Sequence, residues 1–158
     1  MSAAARLPTW LPVGVSVLAA LVLSVIPLPA ALAAVRPAWV LLVVVFWNTT
    51  LPRRVGVSVA WISGLLLDQL TGTVLGEHAL ALTLASFGAL KLQELVRTFP
   101  FWQQGLALLP VFIVYEFVLF WIDGVTGHAV TPLWRWAPVA STTLLWPVMA
   151  PALQLLDR

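Results

Sequence analysis

The chain has 158 residues, 61% of them hydrophobic and 9% charged, with a net charge of +2 and a mean hydropathy of +1.01. A soluble domain carries roughly a quarter charged residues; here too little polar surface exists to cover a water-facing globule, so the solvent is mostly lipid. The pI near 9.9 comes without any basic stripe, which excludes a nucleic-acid binder, and the lack of cysteine excludes disulfides and thiol chemistry.

A spanning helix needs about 20 mainly apolar residues, and the sequence divides into six such runs. The first, 10–26, stops at Pro27 and Pro29. Arg6, an apolar stretch and then "PAALAA" also fit a cleavable signal peptide, but further apolar spans follow, and a retained helix is the expectation. The second run, 38–51, starts after Arg36-Pro37, where proline suits a helix N-terminus, and Pro52-Arg53-Arg54 ends it. The third covers 55–70, the fourth 77–96, the fifth 101–123 and the last 134–156. Short loops join them, so the expected fold is an all-α integral membrane protein, a six-transmembrane-helix bundle forming one domain over 1–158.

One set of loops collects Arg6, Arg53, Arg54, Lys91, Arg97 and Arg158, whereas the other has Arg36 and Arg135. That is 6 against 2, which places the richer side and both termini in the cytoplasm. Trp10, Trp39, Trp47, Trp102, Trp121, Trp134 and Trp136 fall near predicted helix ends, where aromatic belts sit. Trp61 and Trp146 are expected inside the bundle.

In lipid, helices associate through close packing of small residues. On the third run Gly56, Ala60, Gly64, Asp68 and Gly72 recur every four residues and form a ridge. Ala81, Ala85 and Ala89 form a matching row on the fourth. The ridge either packs against that row or receives a helix of another protein; both uses have the same signature. Pro110 in the fifth run and Pro147 and Pro151 in the sixth are expected to kink their helices. Ser141, Thr142 and Thr143 are placed to satisfy carbonyls freed by Pro147.

Asp68 lies roughly 20 Å along its helix from Val55, and Glu116 is at about the same height on the fifth run, counted at 1.5 Å per residue. Intramembrane acids are functional candidates. Each either fixes a helix contact through a hydroxyl or backbone partner, or takes part in a site in which the two share a proton or a cation. Lys91, Glu94 and Arg97 share a face and alternate in sign, which predicts an ion-pair ladder that snorkels to the interface, with a docking edge as the alternative. His78 and His128 lack metal-ligand spacing and read as surface histidines, so no metal or other cofactor is expected. No G-x-S-x-G and no Ser-His-Asp arrangement is present, which argues against an enzyme.

Several short motifs occur together in one order: "RPAWVLL" at 36–42, "LPRRVGV" at 51–57, "GLLLDQLTGTVLG" at 64–76, "ALKLQE" at 89–94, "FWQQGL" at 101–106 and "LLWP" at 144–147. The series resembles the rod shape-determining MreD family from about residue 30 onward. The resemblance implies a bacterial inner-membrane protein of the elongation machinery, a scaffold that binds MreC and regulates peptidoglycan synthesis without catalysing it. MreB, RodA and PBP2 would belong to the larger complex; oligomeric state is left open. The implied fold is similar to the substrate-binding S components of energy-coupling-factor (ECF) transporters, which leaves a small-molecule or lipid binder as the alternative function. The motif positions carried over are Arg36, Pro37, Trp39, Pro52 and Arg54, with Gly64, Asp68, Gly72 and Gly76 in the most recognisable stretch. The expected partner surface is an outer groove made by the third helix, the 72–78 loop and a neighbour.

Overall fold

The computed structural model describes residues 8–128 and 133–158. They form α1 (Trp10–Val25), α2 (Ala30–Ala33), α3 (Trp39–Thr50), α4 (Gly56–Thr71), α5 (Glu77–Thr98), α6 (Phe101–Ala107), α7 (Leu109–Thr126), a 3-10 turn (Trp134–Trp136) and α8 (Ala137–Leu156). Arg6 lies outside the described residues. Three stretches are long and apolar enough to cross a membrane: Glu77–Thr98, Leu109–Thr126 and Trp134–Leu156. Two more helices, α1 and α3, are apolar but shorter.

The bundle is organised around α3. Every residue from Val40 to Thr49 is buried, as a helix apolar on all sides requires. It packs on α1, α4, α5 and α8. Its polar residues bridge to neighbours: Trp47 Nε1 donates to Ser16 Oγ on α1 at 2.8 Å, and Asn48 Nδ2 donates to Ser86 Oγ on α5 at 2.6 Å. Such bonds hold apolar helices together where no water competes. Trp47 is therefore a core residue rather than part of an interfacial belt. Trp146 is also buried and donates to Gln104 Oε1 at 3.2 Å. Trp61, expected inside, is 43% exposed. It follows Ala60, which is on the buried face, and one residue turns the side chain about 100° around the helix.

The expected fifth helix is two helices that meet at Leu108. Pro110 explains the break: it has no N–H to donate and suits the first turn of a helix rather than an interior. By contrast, α8 runs through Pro147 and Pro151 without interruption. The nearby hydroxyls do other work than expected. Ser141 Oγ donates to Pro138 O at 3.1 Å, Thr143 Oγ1 donates to Val139 O at 2.8 Å, and Thr142 Oγ1 accepts the Ala38 N–H at 3.1 Å. The last bond ties α8 to the start of α3.

The pairing of α4 with α5 is the most extensive in the molecule. At Gly64 the backbones touch: a Cβ there would lie 2.3 Å from Ala79 Cα. Ala60, Gly64 and Asp68 are buried in this contact zone. Gly56 and Gly72, the ends of the four-residue series, have φ of 52° and 68° and open space where a Cβ would sit. They shape the entry and exit of α4, so the packed ridge is its middle part only.

Candidate functional site

Three buried acids, Asp68, Glu77 and Glu116, lie at the end of the bundle where α4 turns into α5. Asp68 is 1% exposed and surrounded by donors. Its Oδ2 accepts the Gly76 N–H at 2.8 Å, and its Oδ1 accepts the His78 N–H at 2.9 Å. The His78 ring nitrogen Nδ1 is 2.8 Å from Oδ1, and Thr73 Oγ1 donates to it at 3.1 Å. Gly76 and His78 begin α5, whose first N–H groups have no partner within the helix. Asp68 thus caps the N-terminus of the next helix from across a turn, and its charge also complements the positive end of that helix. Gly72 and Gly76, at φ 68° and 97°, let the intervening segment fold back tightly enough for this. His78 is not a free surface histidine: its side chain is 15% exposed and paired with Asp68.

Glu116 on α7 is 8% exposed, yet among the described residues it has neither a hydrogen-bond donor nor an ion pair. It lines a cavity of about 280 Å³ together with Arg36, Trp39, His78 and Tyr115. The cations around it bond other groups through their terminal nitrogens, while Arg36 Nε and Arg135 Nε have no partner among the described residues. Arg36 donates to the Ser24 and Ile26 carbonyls at the C-terminus of α1, where a guanidinium suits the negative helix end. Arg135 pairs with Asp123, joining the end of α7 to the turn before α8. No hydrogen bond joins Asp68 and Glu116 among the described residues; His78, which lines the cavity, stands on the Asp68 carboxylate. Arg36, Pro37 and Trp39 come together on the cavity wall. Sequence reasoning missed Tyr115 and Glu77, both buried at this end. The signal for Tyr115 was its position next to Glu116; Glu77 was read only as a helix start.

At the opposite end, Arg97 donates from Nε to Thr49 O at 2.7 Å and from Nη2 to Thr50 O at 2.9 Å, closing the C-terminus of α3. Lys91 stands over the Phe87 ring at 5.4 Å. No ion pair joins Lys91, Glu94 and Arg97 among the described residues; the Arg97 guanidinium is bonded to the helix-end carbonyls of α3 instead. Pro52, Arg53, Arg54, Glu94 and Arg97 instead line an open cleft of about 640 Å³. Arg54 also donates to Thr9 Oγ1 beside the start of α1. No group of three or more potential metal ligands occurs among the described residues.

Helices throughout, a core helix buried on all sides, and polar groups bonded across helices and at helix ends define a helical membrane protein. Within that class, the family model for the rod shape-determining protein MreD matches residues 5–156, and the chain belongs to this family. It is 28% identical over 131 residues to the rod shape-determining protein MreD of Haemophilus influenzae, covering 81% of this chain and 79% of that protein. No solved structure matches it significantly. The family is one of shape-determining proteins and is not known as an enzyme, so the chain's role is in rod shape determination, within the rod-shape machinery.

Proposed function

We propose that the chain is a non-enzymatic scaffold of the bacterial inner membrane, a single domain that crosses six times with both termini in the cytoplasm, in an ECF S-component-like bundle. It binds MreC directly and thereby regulates peptidoglycan synthesis by a complex that also holds MreB, RodA and PBP2. The basic residues support the orientation: Arg53, Arg54, Lys91 and Arg97 gather at one end, Arg36 and Arg135 at the other.

The observation that carries MreC binding is an apolar groove of about 540 Å³ between α1 and α4, lined by Leu18, Val22, Val25, Leu66, Gln69 and Leu70. It opens near the Arg36 end, beside the 64–76 motif, and is the size and chemistry of a seat for a membrane helix. Gln69, exposed on that wall, offers an amide to a polar group on an incoming helix. Gly64, buried against α5, acts on this surface by setting the position of α4.

Substituting Leu66→Trp or Leu70→Trp fills the groove and is expected to cut co-purification with MreC several-fold, whereas Leu144→Trp on an exposed face of α8 leaves it unchanged. Equal recovery of MreC with all three variants would rule the groove out. Single cysteines introduced at Arg54 and at Arg36 into the cysteine-free chain are expected to label from opposite membrane faces. A second reading, a small-molecule or lipid-binding membrane protein, draws its support from the cavity beside Glu116.

A further inference from the structure

We propose that the cavity beside Glu116 is a binding site for an organic ammonium group, with Glu116 as counter-ion and Trp39, Tyr115 and His78 as its aromatic wall. The proposal gives the second reading above its ligand chemistry, and does not depend on MreC.

Three observations carry it. First, Glu116 is more than nine-tenths buried without a donor or cation among the described residues, on the wall of a cavity. A carboxylate that opens into a cavity of low dielectric without a bonded partner attracts a cation that enters it. Second, no neighbouring cation forms an ion pair with it among the described residues, although Arg36 lines the same cavity. Arg36 is held by the α1 carbonyls, Arg135 by Asp123 and the His78 ring by Asp68. Third, part of the wall is aromatic: the Tyr115 and His78 rings lie 6.5 Å apart, and Trp39 is on the same lining, beside Ser24, Arg36 and Thr71. Ring faces attract ammonium groups, most strongly where water is scarce.

The same observations disfavour a metal ion. A divalent cation needs several oxygen or nitrogen ligands, and no cluster of three or more His, Cys, Asp or Glu side chains occurs among the described residues. The volume of about 280 Å³ corresponds to about nine waters. That is room for a small amine or an aminoalcohol headgroup, and too little for a large cofactor. The ligand is therefore either a soluble amine or the amine of a lipid headgroup that enters from the membrane interface.

The test uses the full chain in nanodiscs and in detergent. Ethanolamine and tetramethylammonium are titrated while tryptophan fluorescence is followed, with Trp39→Phe identifying the reporting residue. Native mass spectrometry then scores retention of phosphatidylethanolamine against phosphatidylglycerol after delipidation. Saturable binding, weakened about tenfold or more by Glu116→Gln and restored by Glu116→Asp, is expected from loss and recovery of a charged partner. Binding of ethanolamine alone assigns a soluble amine; selective retention of phosphatidylethanolamine assigns a headgroup. Retention of phosphatidylglycerol that Glu116→Gln leaves unchanged would overturn the ammonium assignment while leaving a lipid-binding function standing. No saturable probe and no retained lipid would overturn both. A melting temperature for Glu116→Gln equal to the wild type guards against misfolding as the cause of lost binding.

Discussion

Asp68 and Glu116 are both carboxylates buried at the same end of one small helix bundle, and their surroundings are opposite. Asp68 accepts from the Gly76 and His78 backbone, the Thr73 hydroxyl and the His78 ring. Glu116, also buried, faces a cavity and has no bonded partner among the described residues. The difference teaches that burial of an acid in a membrane protein does not by itself mark a site. Counting its donors separates the two cases: a satisfied acid is part of the fold, and an unsatisfied one on a cavity wall is open to a ligand.

Substitutions that bear on each side of this contrast are expected to differ steeply in effect. Gly64→Leu should do the most damage, because its Cβ alone would overlap the backbone at Ala79 and α4 would have to leave α5, taking Asp68 away from its donors. Little folded protein should survive extraction, as judged by size-exclusion chromatography. Asp68→Ala follows. It strands the donors at the start of α5, and a loss of about 3 kcal/mol or more is expected in denaturant unfolding. A stable Asp68→Ala variant would dissolve the contrast, because Asp68 would then be dispensable to the fold.

Gly72→Ala introduces a side chain at φ 68° in the turn that brings Asp68 to α5, and should cost about 1 kcal/mol. Arg97→Ala removes the clamp on the α3 carbonyls at the far end and should cost a similar amount, about 1 kcal/mol, measured by thermal melting. The smallest stability effect is expected for Glu116→Gln. An amide of the same shape takes the place of a charge with no partner among the described residues, so stability should be unchanged or slightly raised. A Glu116→Gln variant as damaged as Asp68→Ala would make both acids structural.

Much of the fold was legible in the residues. Apolar runs bounded by proline, arginine and glycine located α1, α3, α4, α5 and α8 to within a few residues, because a helix in lipid must satisfy its own backbone along its whole length. The break at Leu108 was placed near Pro110 but read as a kink. Proline in one chain reads the same whether it bends a helix or begins one. The site was less legible. Asp68 was conspicuous as a charge in an apolar run, while its capping of α5 depends on the 72–76 turn folding back. The arginines show the same limit: Arg97 shares a helix face with Glu94, and its guanidinium nevertheless goes to the α3 carbonyls.

The sequence by itself determined the solvent, the helical class, the family and the points where helices begin and end, since each of these follows from local composition and order. Tertiary structure alone decided which polar groups meet. Trp47 and Trp61 illustrate why: both sit in apolar helices, yet one is sealed in the core and the other faces outward. In a chain this apolar, hydrophobicity distinguishes the faces of a helix poorly, and packing against particular neighbours sets its rotation. That rotation also turns Glu116 toward a cavity while Asp68 meets the first N–H groups of α5.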